Sequence, residues 1–232
     1  MTADLPPTTD PFTGDEVLRG LRSRRRPILF LISGPSGVGK DAVAERLAMP
    51  VEQGGIPETR IVVTATTRDR RPGEQDLVHY EFLAREDFIT KQDEGYFIEN
   101  ATVYGPGNLY GVPRHAITSA FDAGVDPIIK IDVQGVATIK QIIPQAVTIF
   151  IAPESIEALH HRLNRRNSED YHAAVRRLRA ARRELERIPG FDYVVFNETG
   201  LLDDTVAQIK AIITAERLRT TPAPAPRLDP IV

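Results

Sequence analysis

The segment Gly34-Pro35-Ser36-Gly37-Val38-Gly39-Lys40 constrains this chain more than any other, because of what flanks it. Before it runs PILFLIS, Pro27 to Ser33, a strand-length stretch that is apolar almost throughout. After it comes DAVAERLAMP, Asp41 to Pro50, which has helical spacing and stops at a proline. A buried strand, a glycine-rich turn and a helix in this order satisfy the pattern G-x-x-x-x-G-K. The glycines let successive backbone N–H groups converge on phosphate oxygens. The helix N-terminus adds partial positive charge, and the lysine neutralises a phosphate in transfer. A strand apolar on both faces must also be covered on both, which commits the chain to layers of helices around a parallel sheet.

The rest of the chain repeats that design. Strand-length apolar runs recur at Arg60 to Thr66, Asp126 to Val133, Ala146 to Ala152 and Asp192 to Asn197. Helical patterns alternate with them at about 114 to 123, 134 to 142, 154 to 164, 170 to 187 and 201 to 218. Residues 67 to 112 break the rhythm, being rich in Tyr, Gly and charge, and read as an inserted lobe. The ends differ again. Residues 1 to 26 form an extension expected to be largely disordered, although Glu16 to Arg26 has the spacing of one short helix. Residues 219 to 232, rich in Pro and Ala, are expected to form a disordered tail. The basic run at Arg22, Arg24, Arg25 and Arg26 reads as part of a solvated leader.

Composition removes several function classes. The chain has no cysteine, so disulfides, thiolate metal sites and cysteine nucleophiles are excluded. The formal net charge of −3 gives no reason to expect a nucleic-acid partner. The N-terminus is acidic and proline-rich where a signal peptide would be basic and then apolar, and no apolar run reaches membrane-spanning length. A cytoplasmic protein with small-molecule substrates and no membrane partner is expected. The five histidines lack metal-ligand spacing and read as surface residues.

The loop identifies a triphosphate site but not an acceptor, and the inserted lobe supplies the acceptor. Thr64-Ala-Thr-Thr-Arg68-Asp-Arg-Arg71-Pro-Gly-Glu74, His79-Tyr80-Glu-Phe82, Phe97-Ile-Glu99 and Leu109-Tyr110-Gly111 resemble, in order and spacing, the GMP-binding region of guanylate kinases. The resemblance extends through Lys130-Ile-Asp132-Val-Gln-Gly135 and Arg162-Leu163 to Asn197, with a small insertion near Gly105 to Asn108. It implies an α/β P-loop kinase spanning 27 to 218. Such a kinase has a parallel core sheet flanked by helices, an inserted mixed α+β GMP-binding lobe at about 64 to 112, and a short helical lid at about 161 to 183.

The implied reaction moves the γ-phosphoryl group of ATP onto GMP, with dGMP as a further acceptor and Mg²⁺ as cofactor. By this resemblance Arg68 and Arg71 hold the GMP phosphate, with Thr64, Tyr80 and Tyr110 as hydroxyl partners. Planar guanidinium groups suit a phosphate dianion. Glu99 reads guanine through N1–H and the 2-amino group, a donor pair that adenine lacks. Asp132 lies near the metal and the acceptor. Arg166 and Asn197 contact adenine, and Arg177 reaches the phosphates from the lid. A solvated helix face is the plainer reading of the arginines around Arg177. No catalytic base is required, since the acceptor is an ionised phosphate oxygen.

Three positions depart from the family pattern. Asp41 stands where Ser or Thr ordinarily binds Mg²⁺ through its hydroxyl, and is expected to bind the metal directly or through water. Lys130 replaces a common acid, and Val112 replaces a Ser or Thr that contacts guanine. Asp41 also suits a related kinase of ribose 1,5-bisphosphate, which is one alternative reading. A non-catalytic guanylate-kinase-like binding module is the other, and the intact lysine loop argues against it.

Overall fold

The computed structural model describes residues 26–102, 107–166 and 171–219. The short helix expected at Glu16 to Arg26 lies outside them except for its last residue, as does nearly all of the expected tail.

Five strands form a parallel sheet in the order β2-β7-β1-β8-β9. They are β1 (Phe30–Ser33), β2 (Thr59–Ile61), β7 (Asp126–Lys130), β8 (Val147–Pro153) and β9 (Tyr193–Asn197). The period-2 alternation of strand side chains sorts them into two cores. Phe30, Ile32, Ile128, Ile149 and Ile151 face one side. There they meet Val43 and Leu47 of α1 (Lys40–Leu47) and Val206, Ile209 and Ile213 of α7 (Leu202–Arg217). Leu31 and Ile129 face the other side, against Ile117 of α3 (Arg114–Asp122) and Val136 and Ile139 of α4 (Val133–Ile142). Leu31, Ile32, Ile128 and Ile129 are each fully buried, as both-face coverage requires.

The stretch Arg60 to Thr66 is not one strand. Its first part, β2, pairs with β7. The chain then leaves the core, and Ala65–Thr66 forms β3 of a second sheet, ordered β4-β3-β6-β5. The partners are β4 (Glu81–Phe82), β5 (Phe97–Thr102) and β6 (Leu109–Pro113). Both halves are apolar and β-branched, so composition does not mark the point of exchange. The lobe also contains α2 (Arg85–Asp93), which the sequence pattern did not place. Phe88 is its only buried residue and Ile89 is exposed, so there is no apolar stripe to read. Phe88 stacks on Phe97 at 4.4 Å between ring centroids, tying α2 to β5. Ile98 and Val112 extend from the lobe into the second core, seating the lobe on the sheet domain.

Near the carboxyl end lie α5 (Ile156–Arg166) and α6 (Tyr171–Leu185), joined by Leu159, Leu163 and Ala181 in a small cluster of their own. At the other end of the sheet Asp126 is fully buried. Its carboxylate accepts from Ile28 N at 2.8 Å and Arg217 Nε at 2.7 Å, pinning the start of β1 to the last turn of α7.

Candidate active site

β1 ends at Ser33 and the loop turns into α1, so the loop N–H groups and the α1 N-terminus lie at the carboxyl edge of the sheet, where open parallel sheets bind ligands. Two glycines there are required by geometry. Gly34 has φ 144°, and a Cβ at this position would strike the Ile151 carbonyl. Gly39 has φ 105°, and a Cβ would strike the Asn197 amide. Val38 is fully buried and anchors the loop in the core. Its carbonyl accepts from Asn197 Nδ2 at 2.7 Å, while Asn197 Oδ1 accepts from Thr205 Oγ1 at 3.1 Å. Both ends of the Asn197 amide are thus bonded to protein, which makes Asn197 a brace beneath the loop. Arg162 adds a second brace, donating to Asn197 O at 2.8 Å and Thr199 Oγ1 at 3.1 Å.

Lys40 folds over the loop, its Nζ donating to the carbonyls of Gly34 and Pro35. Burial lowers its pKa below the ordinary lysine value, against the opposing pull of Glu184, Asp41 and Asp132. Asp41, in the first turn of α1, accepts from Lys130 Nζ at 2.9 Å.

One pocket gathers residues of the loop, the lobe and the carboxyl end of β7. Ser36, Gly37, Gly39, Lys40 and Asp41 line it from the loop and the first turn of α1. Thr64, Arg68, Arg71, Tyr80, Glu99 and Tyr110 line it from the lobe, Lys130 from the end of β7 and Asp132 from the start of α4. Gly34, Pro35 and Val38 shape the loop from behind this lining. Arg166 and Arg177 belong to α5 and α6, but their side chains lie outside the described residues.

Arg68 is set by Glu74, the last residue of the same Thr64 to Glu74 motif, to which spacing and resemblance attach no role. The two form a bidentate pair at 3.0 and 2.8 Å, and Glu74 also accepts from Arg71 N at 2.8 Å. Burial opposes the Arg68 charge, but the Glu74 pair outweighs it and raises the guanidinium pKa. The Glu74 carboxyl is correspondingly lowered against its own burial. The guanidinium lies 5.5 Å from the Tyr80 ring centroid. Burial, then the nearby Asp41 and Tyr110, raises the Tyr80 hydroxyl pKa, so it is a neutral hydrogen-bonding group at physiological pH.

Glu99 sits at the lobe end of the pocket, 6% exposed. The β5–β6 register shifts between Phe97 and Glu99, an irregularity of the kind that re-aims a side chain. Its pKa is raised to about 7 by burial and by the Asp132 carboxylate. Asp132 caps α4, its Oδ1 accepting from Gln134 N at 2.7 Å and Gly135 N at 3.0 Å. The expected strand Asp126 to Val133 therefore stops at Lys130, because Asp132 starts a helix.

A loop with a buried lysine faces, across one pocket, two arginines and a buried carboxylate. The guanylate kinase family profile matches residues 24–216. The chain belongs to the guanylate kinase family. It is similar to guanylate kinase from Desulfitobacterium hafniense (strain Y51), 39% identical over 85% of this chain and 94% of that one. The guanylate kinase of Hahella chejuensis is 38% identical over 82% of this chain and 88% of its own length. The chloroplastic/mitochondrial guanylate kinase 2 of Oryza sativa subsp. japonica is 41% identical over 84% of this chain, which spans 66% of the rice protein. Among solved structures, guanylate kinase from Anaplasma phagocytophilum superposes with a TM-score of 0.68 at 31% identity, over 84% of this chain and 89% of that one.

The pocket has one wall from the loop and one from the lobe, joined by Lys130 at the end of β7 and Asp132 at the start of α4. Val112, one of the departures, is buried in the pocket wall with its strand position paired to Glu99. Among the described residues no helix is long and apolar enough to cross a membrane.

Proposed function

We propose that the two walls of this pocket bind ATP and GMP and hold their phosphates in line for transfer. The chain is a guanylate kinase, an ATP:GMP phosphotransferase, so the reaction yields ADP and GDP. The loop from Gly34 to Gly39 offers its N–H groups to the ATP phosphates, and Lys40 meets the group in transfer. Arg68 and Arg71 receive the GMP phosphate, with hydroxyl groups of Thr64, Tyr80 and Tyr110 beside them. Asn197 serves ATP by bracing the loop, Arg166 by covering adenine, and Arg177 by reaching the phosphates when the lid of α5 and α6 closes. Closure over both substrates excludes water, which would otherwise accept the phosphoryl group.

Magnesium fits the residues present. Mg²⁺ needs only one or two carboxylates when phosphates supply further oxygens. Asp41 and Asp132 line the pocket, and among the described residues there is no cluster of three or more His, Cys, Asp or Glu to form a separate metal cage. Bound Mg²⁺ would neutralise charge on the transferring phosphates. Since Asp41 already accepts from Lys130, contact through water suits it better than direct ligation. An Asp41→Ala enzyme should need more Mg²⁺ for half-maximal turnover; an unchanged requirement removes this role.

Glu99 carries the choice of acceptor. A buried carboxylate at the base end of the pocket is costly unless donors meet it, and guanine brings two. A ribose bisphosphate brings no such pair of N–H donors. Inosine monophosphate, which keeps N1–H and lacks the 2-amino group, should be phosphorylated with kcat/KM lower by about 10-fold or more. Equal use of the two nucleotides would dismiss the base-reading role.

A further inference from the structure

Two of the three departures from the family pattern meet each other. Asp41 follows the loop lysine, Lys130 ends β7, and they are joined by a 2.9 Å ion pair across 89 positions of sequence. The placement is fixed by the fold. Lys130 lies in register with Ile32 on β1, and the next residue, Ile131, donates its N–H to Ile32 O at 3.0 Å. The lysine therefore rises from the sheet edge directly beside the start of the loop. Its side chain is only 11% exposed, whereas that of Asp41 is 50% exposed.

An ammonium has three N–H donors. Among the described residues Lys130 Nζ donates to Asp41 Oδ1, and the face of the Tyr80 ring lies beside it, 5.3 Å from Nζ to centroid. Tyr80 belongs to the acceptor wall and Asp41 to the donor wall. The ammonium thus lies where the two walls meet, held from the donor side and facing the acceptor side. A carboxylate placed beside the loop would by itself repel the phosphates, and the lysine offsets that repulsion. Neutralising Asp41 needs only one of its three donors.

We propose that Lys130 is a phosphate-contacting cation at the junction of the two substrates, positioned there by Asp41. It adds to Lys40, Arg68 and Arg71 a fourth positive charge in the same pocket. The proposal rests on the reading of the pocket as an ATP and GMP site, and deepens it by naming a residue that touches phosphate.

A double-mutant comparison separates this role from simple charge balance. GMP binding is measured by titration calorimetry at fixed ionic strength with EDTA present, for the wild type, K130M and D41N/K130M. Removing an ammonium that touches the GMP phosphate weakens binding about 10-fold. The double variant remains weak to a similar degree, because no group has replaced the lost donors. Recovery of wild-type affinity in D41N/K130M would overturn the proposal, showing that Lys130 merely offsets Asp41. Unchanged binding in K130M would overturn it too, and K130Q gives the same reading if K130M does not fold. Failure of the underlying site reading looks different: the wild type itself would neither bind nor phosphorylate GMP.

Discussion

On the proposed base-reading role, Glu99 is one buried side chain that couples pH to both substrate choice and stability. Its carboxyl is raised to about 7, first by burial and then by Asp132. Guanine needs the ionised form as acceptor, so kcat/KM for GMP should fall about tenfold per pH unit below about 7 and level off above it. For stability the sign is opposite. A carboxyl whose folded pKa lies above its ordinary 4.5 favours the protonated folded state, a contribution present below pH 4.5 and lost as pH rises through about 7. Glu99→Gln should therefore abolish the acidic limb of the GMP profile. It should also make the ligand-free protein more stable at pH 8, by on the order of 1–3 kcal/mol in denaturant melts. Retention of the limb in this variant would show that another group titrates.

At this scale the sequence was informative where a residue type has few alternatives. Gly34, Gly39 and Lys40 could be placed from spacing alone, and the resemblance pointed to Arg68, Tyr80 and Glu99, which the fold brings to one pocket. The work of Glu74 was not legible as such, because a lone glutamate after Pro-Gly is ordinarily solvated. The Asp41–Lys130 pair left no local signal, since its members are adjacent only through the parallel pairing of β1 and β7.

Among the elements, both-face burial made the core strands readable as continuous apolar runs. The lobe resisted reading for the opposite reason: its strands are as short as two residues, and α2 buries a single phenylalanine. The Arg60 to Thr66 run divided because hydrogen bonds to two different sheets, and not side-chain type, decide where the chain changes partners. The most consequential tie between elements is Asp126, which joins β1, β7 and α7 far from the pocket. Asp126→Ala would leave the Arg217 guanidinium, 13% exposed, and the Ile28 N–H without this acceptor. A loss of about 3–5 kcal/mol in unfolding free energy is expected. A loss under 1 kcal/mol would mean that water replaces the carboxylate there.

Over the whole molecule, function depends on three separated stretches converging on one edge of the sheet. The loop supplies one wall of the pocket, the inserted lobe the other, and the end of β7 the floor between them; the proposal gives the first wall to ATP and the second to GMP. The most direct test is a coupled assay of ADP formation with ATP and Mg²⁺, comparing kcat/KM for GMP, dGMP, AMP, UMP and ribose 1,5-bisphosphate on the intact chain. GMP and dGMP should be the only efficient acceptors, with AMP and UMP lower by about 100-fold or more. Equal or better activity on ribose 1,5-bisphosphate, or on AMP, would contradict the assignment of Glu99 and the two arginines to a guanine nucleotide.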